Sequence, residues 1–212
     1  MIKKYTELFN RSFEGLDPLD IRYIPKKYMN PVKNYNRLVK PILKAVKSKF
    51  KRGLDFGCGC VGSSIIGRLH GVEIVGLDIP YGLDDSEEGN RNRLGKSASE
   101  ISDRVSVHLP IQKNLQKMGY SIIIRDTTIY PWEEFKDNEF DFVMAYFALS
   151  KEWITHKDTL SFEGEIYKKR LEQLFRITRD GGKWYVHPKN HITSVLQYKN
   201  LMNKNIKVEN WG

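Results

Sequence analysis

The sequence predicts an α/β fold: a doubly wound, mostly parallel sheet with helices on both faces, plus a basic N-terminal helical segment. Three observations carry that expectation. Short apolar runs bounded by turn residues recur along the chain, segments of helical periodicity lie between them, and the first run opens into a glycine-rich loop, RGLDFGCGCVGSS, at residues 52 to 64. Strands that alternate with helices imply right-handed crossovers and therefore a parallel sheet.

The apolar runs are GLDFG (53–57), EIVGLDI (73–79), SIIIRD (121–126), DFVMAYFAL (141–149) and KWYVHP (183–188). Their nearly continuous hydrophobicity suits strands buried on both faces. Helical periodicity falls on SSIIGRLHG (63–71), SVHLPIQKNLQKMG (106–119) and EGEIYKKRLEQLFRITRDGG (163–182). In the last of these Leu171, Leu174, Phe175 and Thr178 share one face, and Gly181 with Gly182 supplies the stop. Two regions stand outside the alternation. Residues 1–50 read as a helical cap or substrate cover, whose last part, NYNRLVKPILKAVKSKF, is expected to be a helix bent or started near Pro41. The stretch 80–110 is long and polar for a strand-to-helix connection, and reads either as a lid or as a surface insertion of the core, residues 51–212.

A chain of 212 residues suits one domain, and 40% hydrophobic with 29% charged residues is an ordinary soluble balance. No apolar run approaches the roughly 20 residues that span a bilayer. The start, MIKKYTELFNRSFEG, lacks the apolar core of a secretory signal, so a cytoplasmic protein is expected. Cys58 and Cys60 stand one residue apart, a spacing that strains a disulfide, and no zinc ligands cluster beside them. Both read as reduced thiols, and no metal is expected. Residues 1–52 hold 14 Lys or Arg against 4 Asp or Glu, so the +9 net charge is an N-terminal property. That excess fits an acidic or phosphorylated partner, and it equally fits a solvated helix face.

In an open α/β sheet, ligands bind beyond the carboxyl ends of the strands where strand order reverses. The glycines at 57, 59 and 62 let the loop turn tightly there, and read alone they favour a nicotinamide or flavin dinucleotide. Asp55 argues otherwise, because a carboxylate two residues before the first glycine repels a pyrophosphate and favours a cation. Asp78 closes the second strand, where an acid can take both ribose hydroxyls, and Asp126 ends the third, within reach of an adenine amino group.

Those residues bring out a resemblance to the class I, Rossmann-like, S-adenosylmethionine-dependent methyltransferases, running from about residue 50 to the C-terminus. LDFGCGCVG resembles that family's glycine-rich first motif, GLDI its ribose-binding strand end and RDTTIYPW its adenine-binding strand end. EFDFVMAYFALS is similar to the fourth-strand motif, and LEQLFRITRDGGKWYVHP to the helix, turn and fifth strand. The resemblance implies S-adenosyl-L-methionine as cofactor, S-adenosyl-L-homocysteine as product, and cofactor contacts from Asp55, Gly57, Cys58, Gly59, Asp78, Asp126, Thr127 and the backbone near Ala145. The chain departs from the family pattern at Gly62, one place later than usual, and at Asp180, where a proline is common. After the fifth strand there is room for one helix and one strand, where the family ends in an antiparallel hairpin.

The substrate side of such a fold lies above the ends of the fourth and fifth strands. Candidates there are Tyr146, Lys151, Glu152, His156, His187 and His191. His187, His156 and Tyr146 are the catalytic candidates, since a neutral imidazole is a fitting base near pH 7 and a lone histidine is otherwise structural. The histidines alone make an incomplete metal-ligand set, which Glu152 and Asp158 could complete, but the sequence offers no strong support for it. Tyr5, Tyr23, Tyr28, Tyr35, Trp132 and Trp153 read as core residues or as pocket lining. The expected function is methyl transfer to a small-molecule or saccharide-like acceptor, phosphorylated or acidic, most readily at oxygen, by a monomer or homodimer. A tRNA or rRNA methyltransferase using the basic segment, an NAD-binding oxidoreductase and a non-catalytic cofactor-binding protein remain alternatives.

Overall fold

Six strands form one sheet in the order β3-β2-β1-β4-β5-β6, and every pairing is parallel. The computed structural model describes residues 1–16, 29–59, 62–78, 109–125, 130–146, 148–149, 160–199 and 204–211. The strands are β1 (Arg52–Phe56), β2 (Glu73–Asp78), β3 (Ile122–Ile124), β4 (Phe140–Tyr146), β5 (Thr178–His187) and β6 (Lys207–Asn210). The helices are α1 (Ile2–Arg11), α2 (Pro31–Lys47), α3 (Ser63–Leu69), α4 (109–117), α5 (Leu160–Ile177) and α6 (Lys189–Lys199). This is the doubly wound arrangement the alternation of runs predicts. Among the described residues no helix is long and apolar enough to cross a membrane.

Successive side chains of a strand point to opposite faces, and that period divides the core in two. Phe142, Met144 and Tyr185 lie in one cluster with Tyr5, Phe9, Leu38 and Ile65, so α1, α2, α3 and α4 cover that face. Leu54, Phe56, Val143 and Ala145 lie in the other, against Trp132, Leu171, Phe175 and Val195 from the α5 and α6 side. The N-terminal helices are thus part of the sheet's packing. Tyr5, Tyr35 and Trp132 are core residues.

Register brings the strand ends level. Phe56 pairs with Leu77 and Ala145, and Tyr146 with His187, so the ends of β1, β2, β4 and β5 open on one rim. Strand order reverses between β1 and β4, which places the glycine loop after β1 at the crevice of the sheet.

Two boundaries differ from expectation. α2 starts at Pro31, ten residues before Pro41, because Asn30 caps it by accepting from Lys33 N–H at 3.0 Å and proline is preorganised for the first helical position. Thr178, expected on the apolar face of α5, is instead the first residue of β5. Its hydroxyl donates to Leu174 O at 2.6 Å and accepts from Trp184 Nε1 at 3.0 Å, so it bonds back to the helix from the strand. Lys204 Nζ closes the same helix end, donating to the carbonyls of Phe175, Arg176 and Thr178 at 2.7–2.8 Å.

Pro41 sits inside α2 and has no N–H, which deprives the Arg37 carbonyl of its helical donor. Trp211 replaces it: its Nε1–H donates to Arg37 O at 2.8 Å, while its backbone N–H donates to Val186 O at 3.0 Å. The C-terminal tryptophan therefore ties α2 to the end of β5. Trp211→Phe leaves that carbonyl without a donor and should destabilise the protein by about 1–3 kcal/mol in urea unfolding. In a Pro41→Ala background, which restores the helical N–H, the same change should cost measurably less; equal costs would show that the indole does not substitute for the missing amide.

Candidate functional site

The site starts where β1 ends. Gly57 N–H donates to Leu77 O at 2.7 Å and Cys58 N–H to the same oxygen at 3.3 Å, so the loop crosses onto β2 before turning. Gly57 has φ +73°, and a Cβ there would stand 2.5 Å from the Ala148 Cβ, so neither conformation nor space admits a side chain. Cys58 turns its thiol into the core beneath Gly76, where an added Cβ would lie 2.8 Å from its Sγ. What Cys58 offers a ligand is backbone. Gly59 and Gly62 also have positive φ, and Gly62 is the N-cap of α3.

Asp55 lies under this loop, 2% exposed, and its Oδ2 has no hydrogen-bond partner among the described residues. Burial pushes its carboxyl up to about 7; a hydrogen bond from Ser63 opposes the rise, the charge of Asp78 adds to it and that of Arg37 opposes it. A desolvated carboxylate with an open oxygen is a receptor for a cation or for several N–H donors.

Asp78 ends β2 and is 6% exposed. Gln112 Nε2 donates to Asp78 Oδ2 at 2.7 Å and to Gly59 O at 3.2 Å, so one amide ties the second strand end to the glycine loop. Sequence reading missed Gln112. Its signal was a polar residue on the buried side of α4, between Ile111 and Leu115, where an apolar residue would otherwise stand.

At the ends of β4 and β5, Tyr146 and His187 stack with ring centroids 4.8 Å apart and planes 7° from parallel. The Arg37 guanidinium lies 4.5 Å from the centre of the Tyr146 ring, and its Nη2 donates to Asn34 Oδ1 at 3.0 Å. Burial, then the Arg37 charge, holds the His187 imidazole below its usual value, so it is neutral at pH 7. Arg37 and Asn34 were also missed; on α2 Asn34 is buried and Arg37 half-buried, an unusual place for such side chains.

The structure thus brings Asp55, Gly57, Cys58, Gly59, Asp78, Ala145, Tyr146 and His187 to one rim, with Ala145 fully buried in β4. His191 is buried, 6% exposed. Asp126, Thr127, His156, Lys151, Glu152, Trp153, Asp158, Cys60, Tyr23, Tyr28 and nearly all of the 80–110 stretch lie outside the described residues. Among the described residues no three His, Cys, Asp or Glu side chains gather closely enough to hold a metal ion.

Neither a protein-family model nor a curated protein sequence matches the chain. Solved structures are similar to it at low identity. One is the PH0226 protein of Pyrococcus horikoshii, 18% identical over 80% of this chain and 65% of that one, with a TM-score of 0.45. Others are an S-adenosylmethionine-dependent methyltransferase from Clostridium acetobutylicum (12%, 85% and 54%, 0.38) and a TehB-like one from Corynebacterium glutamicum (11%, 92% and 81%, 0.40). The chain spans less than two thirds of the length of the first two. Similarity at this level assigns no activity to the chain.

Asp55 makes stability depend on pH in a definite direction. Its folded-state value exceeds the unfolded one of 3.8, so the neutral acid's contribution is fully present below about pH 4 and is lost as pH rises through 7. Asp55→Asn, neutral throughout, should therefore gain on the wild type between pH 5 and pH 8, by at most about 3 kcal/mol. Urea unfolding of the ligand-free proteins at both pH values measures this, and a stability difference that does not change with pH would contradict it.

Proposed function

We propose that the chain is an S-adenosylmethionine-dependent methyltransferase acting on a small-molecule or saccharide-like acceptor, at oxygen. The observation that carries this reading is Asp55, a buried carboxylate at the reversal point of the sheet, directly before the glycine loop, whose Oδ2 has no hydrogen-bond partner among the described residues. The same strand order serves dinucleotide-binding folds, so the order alone does not choose between them. The charge does: a buried carboxylate at this position opposes a pyrophosphate and complements an ammonium or sulfonium group.

The residues present fit such a cofactor. Asp55 would offer an oxygen that has no partner among the described residues to the cationic amino-acid end, the backbone of Gly57 would allow close approach, and Asp78, steadied by Gln112, would take a ribose diol. When bound, S-adenosylmethionine supplies a methyl group activated for displacement by its sulfonium charge. The protein's own work is to orient the acceptor, to exclude water and to accept its proton. His187, neutral at pH 7 and held by its stack with Tyr146 at the end of β5, is the candidate for that proton.

Calorimetric titration with S-adenosylhomocysteine is the test. Micromolar binding that Asp78→Ala weakens by about tenfold or more supports the reading. Binding of NAD in place of the homocysteine compound would overturn it.

A further inference from the structure

The stack at the ends of β4 and β5 contains more than a proton acceptor. Arg37 is fixed from two directions. Its guanidinium lies over the Tyr146 ring and holds Asn34, which is fully buried, while its backbone carbonyl is held by the Trp211 indole. Trp211 also packs against Tyr146, with ring centroids 5.4 Å apart. A cation placed this firmly over an aromatic ring loses little further freedom when it binds a partner.

Its chemistry and surroundings narrow that partner. A guanidinium stacked on a ring directs its N–H donors sideways in its own plane, in a fork that matches two oxygens of a carboxylate or phosphate. The stack stands on the β4 and β5 side of the reversal point, whereas Asp78 stands on β2 and Asp55 on β1. Arg37 also lies close enough to Asp55 for its charge to favour the ionised form of that carboxyl. The field of Arg37 also reaches His187. Cation and imidazole therefore address one region of the rim.

We infer that Arg37 is the anion-recognition residue of the acceptor site, seating a carboxylate or phosphate group of the acceptor while the reacting hydroxyl faces His187. The inference rests on the methyltransferase reading, from which it takes the β4 and β5 ends as the acceptor side.

The full chain, saturated with S-adenosylhomocysteine, is titrated with benzoate and separately with inorganic phosphate. The His187 imidazole is followed by ¹⁵N NMR, its signal identified by its loss in His187→Gln. One of the two anions should shift that signal saturably, and which one does so distinguishes a carboxylate from a phosphate acceptor. Arg37→Gln should weaken that anion by about tenfold or more while S-adenosylhomocysteine affinity stays within about threefold. Arg37→Lys, which keeps charge and stem but loses the planar fork, should weaken it by about threefold or more. Absence of any anion-induced shift, or unchanged anion affinity in both variants, overturns the inference. So does a tenfold loss of S-adenosylhomocysteine affinity in Arg37→Gln, which would assign the guanidinium to the cofactor's own carboxylate. Failure of the wild type to bind S-adenosylhomocysteine at all is a failure of the methyltransferase reading instead.

Discussion

A carboxylate buried without a full set of partners is the constraint around which this molecule is arranged. Asp55 sits at the centre of the sheet's open rim, where water cannot stabilise its charge and, among the described residues, Ser63 alone hydrogen-bonds it. A globular fold gains nothing from such a group, since an apolar residue of similar size would pack there at lower cost. Its presence makes sense when a cation arrives to share the site. The glycines Gly57, Gly59 and Gly62 of the loop after β1 have left-handed backbone, and Asp78 ends the neighbouring strand.

A second chain of causes links the ends of the polypeptide to that rim. Pro41 removes one amide from α2, the Arg37 carbonyl is left over, and Trp211 takes it while packing beside Tyr146. Helix α2 is thereby fixed where Arg37 can lie over Tyr146 and influence His187. The first and last parts of the described chain so converge on the end of β4. Asp55 and Asp78 end β1 and β2, while the Arg37–Tyr146 stack stands at the end of β4, on the other side of the reversal of strand order.

Most of the fold was legible because its signals are local: apolar runs flanked by turns, and helical segments between them. The carboxylates Asp55 and Asp78 were legible for the same reason, each standing at the end of such a run. Gln112 and Arg37 were not, because their roles depend on contacts across 34 residues, to Asp78, and across more than 100, to Tyr146. Pro41 misled for an instructive reason. Its usual effect on a helix was compensated by an indole 170 residues away in sequence, which no local pattern reveals. The thiol of Cys58 likewise stood in a loop motif, yet the absence of a side chain at Gly76 draws it into the core.

The most direct test of Asp55 as the cofactor's counter-charge is the proton balance of binding, from calorimetry of S-adenosylhomocysteine in buffers of different ionisation enthalpy at pH 7. A carboxyl pushed up to about 7 is partly protonated there and must ionise to meet a cation. Wild-type protein should therefore release protons on binding, and Asp55→Asn should release none and bind more weakly. Tight binding with no proton release, indifferent to Asp55→Asn, would contradict the central role given to this carboxylate.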